Sequence, residues 1–251
     1  MQPLELADLK DLRLAVEGLG LRPHVIAETG SKAWGTDVDT SDHDLTVIAD
    51  DIVYDIYAWP RTAFTQKIQF NGEEIDCRVF SPERFLRKIV KSNLSAYEVI
   101  HTHWHFGDNY LRSLLTESLD RFYDPREMFR SSRGNISEIR SKGVKGKRQM
   151  FRYSFICIQL IESLQNGRKP MMNVHEYLNS PDTALFSQLL VSNMLKWAHT
   201  EESVASLDHE MEVTLARIRD FDFPAVVNFK QGEEREFMNV QFAKYKEWVA
   251  K

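Results

Sequence analysis

The sequence predicts an α+β protein: a mixed sheet with flanking helices in the N-terminal half, followed by an all-helical C-terminal half. Three observations predict it. Two short apolar runs, His24 to Thr29 and Asp44 to Ala49, have the length of strands rather than helices. Two alternating runs, 63–70 and 73–80, are joined by Asn71-Gly72, the strongest short-range hairpin signal. From Phe85 to about His199 the apolar spacing is nearly all helical.

In chain order, Leu4, Leu9, Leu12, Val16 and Leu19 recur at roughly helical spacing, with glycines at 18 and 20, so an amphipathic helix opens the chain. The run from His24 is a buried strand that enters a Gly30-Ser31 turn. The run from Asp44 is apolar on both faces, as in a sheet covered on both sides. In the second strand of the hairpin, Ile75, Cys77 and Val79 share one face, and Glu74, Asp76 and Arg78 share the other. Ser81-Pro82-Glu83 opens a helix, with Ser as N-cap and Pro at the first helical position. A basic segment with Gly and Ser at 131–146 is expected to interrupt the helical half. A strong helix should then run from about Lys147 to Gln165, stopped by Gly167 and Pro170. Ser180-Pro181-Asp182 should cap another through Trp197, and helices at about 201–220 and 233–249 close the chain. The expected domains are 1–115 and 116–251.

Hydrophobic residues make up 43% of the chain, which excludes an intrinsically disordered protein. Cys77 and Cys157 lie in apolar segments and form no Cys-x-x-Cys pair, so a reducing, cytoplasmic setting is expected. The first residues lack the basic start and apolar block of a signal peptide. No apolar run approaches the roughly 18–20 residues of a membrane span. The net charge of −5 hides an asymmetry: from Arg126 to Arg152 there are nine Lys and Arg against two Glu. Such a stripe on an acidic chain suits phosphates or nucleic acid, although it also describes a solvated basic linker.

The chemistry concentrates in Gly30-Ser31-Lys32-Ala33-Trp34-Gly35 and Ser41-Asp42-His43-Asp44-Leu45. A small-residue turn offers backbone N–H groups to phosphate oxygens. Asp42 and Asp44, two apart in extended chain, project from one face and can reach one metal site. A two-metal centre for in-line displacement needs about three carboxylates. Asp76 supplies the third, because an Asp in mid-strand is unfavourable by propensity and asks for an explanation. Lys91 and Lys147 are the candidate cations for the nucleotide phosphates, with Lys32, Lys145, Arg148 and Arg152 nearby. Tyr153 is read as core rather than as a base-stacking residue, and Trp34 as packing beneath the turn. His101, His103 and His105 alternate as zinc ligands in an extended segment could, but nothing nearby completes the set, so they are read as an ordinary polar face or domain junction.

These residues resemble the nucleotidyltransferase superfamily typified by DNA polymerase β and the kanamycin nucleotidyltransferases. They look closest to a bacterial and phage branch of predicted nucleotidyltransferases that carries Glu-Ser-Gly-Ser-x-Ala-Trp-Gly, then Ser-Asp-x-Asp, then Lys-Ser-Asn followed by Glu. Here these stand as Glu28-Thr29-Gly30-Ser31-Lys32-Ala33-Trp34-Gly35, Ser41-Asp42-His43-Asp44, and Lys91-Ser92-Asn93 with Glu98. The resemblance is sharp over residues 26–100 and diffuse beyond. Thr29 replaces the usual Ser, and a residue such as Tyr is more usual where His43 stands.

The resemblance implies a polymerase β-like catalytic domain in which Gly30 and Ser31 hold the triphosphate and Asp42, Asp44 and Asp76 bind two Mg2+ ions, with Mn2+ able to substitute. Asp76 would also help deprotonate the acceptor hydroxyl. The implied activity moves an NMP, with ATP the expected donor, to an acceptor hydroxyl with release of pyrophosphate. The expected acceptor is an RNA end or a protein, with a small molecule as a third class. The alternative is a non-catalytic nucleotide-sensing or partner-binding protein that keeps the fold.

Overall fold

The computed structural model describes residues 6–37, 41–51, 63–139, 143–200, 203–224 and 233–249. By contacts the chain forms two compact units. The first contains Met1–Ala33, Asp37–Tyr123 and Asn228–Lys251, and the second Trp34–Thr36 and Asp124–Val227. The last helix therefore groups with the sheet, where chain order alone had assigned it to the helical half. Leu4, Arg140 and Lys142, used in the sequence reading, lie outside the described residues.

In the first unit, α1 (Leu6–Glu17) leads into β1 (Leu21–Thr29), the short α2 (Gly30–Trp34) and β2 (Asp44–Asp51). The hairpin is β3 (Ala63–Phe70) and β4 (Glu73–Phe80), followed by α3 (Pro82–Val90), α4 (Leu94–His101), β5 (Trp104–Phe106) and α5 (Asn109–Phe122). The sheet order is β3-β4-β2-β1-β5. Among the described strands only β2–β4 is parallel, so the sheet is mixed. The fold class is α+β, as the sequence predicts.

Strand alternation sorts the sheet into two faces. One face carries Ile26, Leu45, Val47, Ile75, Cys77 and Val79, buried in a cluster with Leu12 and Val16 of α1. The other face, over β2 and β4, begins polar at Asp44 and Asp76 and ends apolar at Ile48 and Phe80. Helix α3 packs on this second face with Phe85, Leu86 and Ile89 buried. Its first turn is built as the sequence predicts: Ser81 Oγ accepts from the Arg84 N–H, and Pro82 stands first. Helix α11 (Glu233–Val249) packs on α3 and α5. Its Tyr245 ring meets His24 edge-on at 5.3 Å, and the Trp248 indole N–H donates to Asp108 Oδ2 at 2.6 Å.

The second unit is helical among its described residues: α6 (Pro125–Glu138), α7 (Gly143–Asn166), α8 (Val174–Asn179), α9 (Leu185–His199) and α10 (Ala205–Asp220). Two expectations are corrected here. Residues 131–138 continue α6 instead of breaking it. Packing of α6 on α7 outweighs the roughly 1 kcal/mol that Gly134 costs a helix interior. Ser180-Pro181-Asp182 does not cap α9; Ser180 closes α8, and α9 starts at Leu185 without a side-chain cap. Trp34 is buried in this unit, with its ring 6.5 Å from Phe155, so it packs as expected. No helix among the described residues is long and apolar enough to cross a membrane.

Candidate active site

Four residues form one row across four strands. Thr29 pairs with Asp44 in β1–β2, Asp44 with Asp76 in β2–β4, and Asp76 with Lys67 in β4–β3. Directly paired residues point to the same face, with Cβ atoms about 5 Å apart. Asp44 and Asp76 are thus adjacent carboxylates on neighbouring parallel strands, as the alternation of each strand had implied separately. Asp42 lies two residues before β2, outside any helix or strand, and is exposed. The Lys67 ammonium is held above the ordinary lysine range, first by its bond to Glu74 and further by the charges of Asp76 and Asp42. Asp44 and Asp76 share the face of Lys67, and the charge of Asp42 also acts on the Lys67 ammonium.

Gly30 explains why the turn must begin with glycine. Its φ is +71°, a left-handed value, and a Cβ placed on it would lie 1.9 Å from Asp44 Oδ2. The backbone of the turn is pressed against the Asp44 carboxylate. The Gly30 N–H donates to Glu98 Oε1 of α4 at 2.9 Å. Thr29 Oγ1 donates to the Asp44 carbonyl at 3.2 Å and ties the end of β1 to the start of β2. Ser31 is buried in the first turn of α2.

On the opposite face, where β1 pairs Glu28 with Leu45, a polar network lies under the row. The Glu28 carboxylate meets His43 Nδ1 at 3.1 Å and His105 Nε2 at 2.8 Å. Burial alone would raise the Glu28 pKa. The hydrogen bonds and charges of His105 and His43 outweigh burial and hold it down at about 2. His43, between Asp42 and Asp44, is thereby tethered to β1. Of the three alternating histidines, His105 joins this network, His103 gives its carbonyl to the Glu28 N–H, and His101 packs edge-on against Tyr97. Among the described residues, no group of three or more His, Cys, Asp and Glu side chains is placed to hold a metal ion.

The remaining candidates fall elsewhere. Lys91 is exposed at the C-cap of α3, while Ser92 turns the chain with φ +47° and Asn93 caps α4. That segment is structural around an exposed cation. Lys147 belongs to the second unit, where its ammonium donates to the Thr200 carbonyl at 3.2 Å and lies 5.2 Å from the centre of the Trp197 ring. Part of the basic stripe is likewise committed within that unit: Arg130 pairs with Glu127, and Arg133 donates to the carbonyls of Arg219 and Phe221.

Sequence reasoning missed Lys67 and the Glu28–His43–His105 network. A charged Glu28 directly after the apolar run Val25-Ile26-Ala27 was the available signal for the network. The two acids of the row, Asp44 and Asp76, offer carboxylate oxygen only. That matches magnesium, which takes one or two protein carboxylates and completes its shell with phosphate oxygens and water. No family model and no curated protein matches the chain. Among solved structures, a nucleotidyltransferase-like protein from Exiguobacterium sibiricum 255-15 aligns over 94% of this chain and 88% of its own, at 12% identity and a TM-score of 0.35. That likeness is too distant to carry an argument, so the functional reading rests on the residues themselves.

Proposed function

We propose that this chain is a magnesium-dependent nucleotidyltransferase that moves AMP from ATP to an acceptor hydroxyl and releases pyrophosphate. One observation carries the reading: Asp44 and Asp76 stand side by side on parallel strands, with the backbone of the Gly30 turn against Asp44. Asp44 and Asp76 would hold the magnesium, joined by Asp42 as the metal and nucleotide bind. When bound, the metal neutralises charge on the phosphate oxygens. The turn at Gly30 and Ser31 seats the phosphates on the β1 side of the pair. Asp76, on the far side, takes the proton of the acceptor hydroxyl as it attacks the α-phosphate. Such transfers depend chiefly on positioning and charge complementarity, which fixed strand positions supply.

A second reading, a non-catalytic nucleotide-binding protein, draws on the Gly30 N–H, which is given to the Glu98 carboxylate. An anion from the chain itself occupies a donor that a phosphate would use. The deciding experiment is magnesium-dependent pyrophosphate release from each common NTP, with total RNA or cell lysate as acceptor, comparing wild type with the Asp42→Ala/Asp44→Ala double variant. Release that the double variant abolishes supports the transferase. Nucleotide binding without release under any condition supports the second reading.

A further inference from the structure

Beyond the carboxylate row, the same face of β4 reads Glu74, Asp76, Arg78 and Phe80. Arg78 and Phe80 are thus the next two residues along from Asp76. Helix α3 brings two more cations over this end of the strand. Lys88 lies with its ammonium 4.9 Å from the centre of the Phe80 ring, and its Nζ donates to Asn93 Oδ1 at 3.4 Å. Arg84 precedes it by one helical turn and shares its side of α3. Arg78 and Arg84 are exposed, and neither forms an ion pair among the described residues. Glu83, the acidic residue of the first turn of α3, is bonded to Arg87 instead.

Three positive groups therefore gather without an acidic partner among the described residues. The Lys88 ammonium registers this: burial first, and then the charges of Arg78 and Arg84, lower its pKa. Like charges held together on a stable scaffold are unfavourable unless an anion joins them. The position of the cluster separates it from the triphosphate turn. Gly30 continues from β1, beyond the carboxylate row and on the Asp44 side. Arg78 lies on β4, two residues inward from the row and on the Asp76 side. The two features are diagonally opposed across the Asp44–Asp76 pair.

We propose that Arg78, Arg84 and Lys88 form a phosphate site beside Asp76, and that it seats a backbone phosphate of a polynucleotide acceptor. The assignment of this phosphate to the acceptor rests on the transferase reading of Asp76. Arg78 follows Asp76 by about 7 Å of strand, roughly one nucleotide of backbone. A terminal hydroxyl at Asp76 therefore leaves the neighbouring phosphate at the cluster. A protein acceptor brings no such regular anion next to its hydroxyl, so three cations there with no acidic partner among the described residues favour nucleic acid.

The test is fluorescence anisotropy of a short single-stranded RNA with a free 3′ hydroxyl, titrated at several salt concentrations. Wild type is compared with Arg78→Ala, Arg84→Ala and the conservative Arg84→Lys, each checked for wild-type thermal stability. The alanine variants should bind more weakly, and each should make the slope of log affinity against log salt shallower by about 0.7. Arg84→Lys should restore the slope, and ATP affinity should stay at the wild-type value. No RNA binding by wild type, or alanine variants with unchanged affinity and slope, overturns the proposal. Loss of ATP affinity with RNA binding intact also overturns it, by assigning the cluster to the nucleotide. RNA binding is read without turnover, so failure of the transferase assay and failure of this proposal are separate results.

Discussion

Asp44 and Asp76 are direct partners across the parallel β2–β4 ladder, each with its carboxylate on the face that Thr29 and Lys67 share. If Asp44 and Asp76 hold one centre as proposed, they act as a unit, and their removal should not be additive. Asp44→Asn and Asp76→Asn should each lower pyrophosphate release by roughly a thousandfold or more, about 4 kcal/mol of barrier. The double variant should be no worse than the poorer single. Independent, multiplying losses in single-turnover rates would separate the two residues.

Gly30→Ala tests the contact between the turn and Asp44. The new Cβ must lie in the place of Asp44 Oδ2, and φ +71° is strained for any residue with a Cβ. Activity should vanish, and the strain alone should cost about 1–3 kcal/mol of stability by denaturant titration. An active Gly30→Ala variant would show that the turn and the carboxylate can move apart.

The Glu28 network predicts an acid limb in stability. Glu28 ionises near 2 in the folded protein, against an ordinary value of 4.5. Its contribution, on the order of 3 kcal/mol, is therefore fully present above pH 4.5 and is lost as pH falls through about 2. Glu28→Gln should flatten the fall in unfolding midpoint between these limits and should be less stable than wild type at neutral pH. Identical slopes for the two proteins would remove Glu28 as the cause.

Cys77 and Cys157 are both fully buried, and burial raises both thiols, Cys77 to about 12. Neither should react with a thiol-specific disulfide reagent in native buffer at pH 8, and both should react in denaturant. Fast native labelling of Cys77 would show that β4 opens readily.

The parts of this molecule legible in the sequence are those set by local pattern. Asn71-Gly72 fixes the hairpin, Ser81-Pro82 fixes the start of α3, and the alternation of β4 puts Asp76 opposite its buried neighbours. Features that depend on distant partners were not legible. The three residues of β5 are a strand only because they pair with β1 through a register shift, and that pairing brings His105 to Glu28. Gly134 reads as a breaker until α7 packs alongside α6. The Arg78, Arg84 and Lys88 cluster lies within eleven residues, but it spans the end of a strand and a helix, so neither a period of two nor a period of 3.6 reveals it. Lys147 looked like a phosphate ligand by position, yet its ammonium is spent on Thr200 and Trp197.

The mixed sheet also sets an order of assembly. The β3–β4 hairpin closes over a two-residue turn and forms on the microsecond scale typical of hairpins. The β2–β4 ladder joins strands distant in sequence, and such non-local parallel pairing is slow. Asp44 meets Asp76 only in that later ladder. A chain whose helices and hairpin have already formed still lacks its carboxylate pair. Partial unfolding that parts β2 from β4 should silence the protein while most of its helical signal persists.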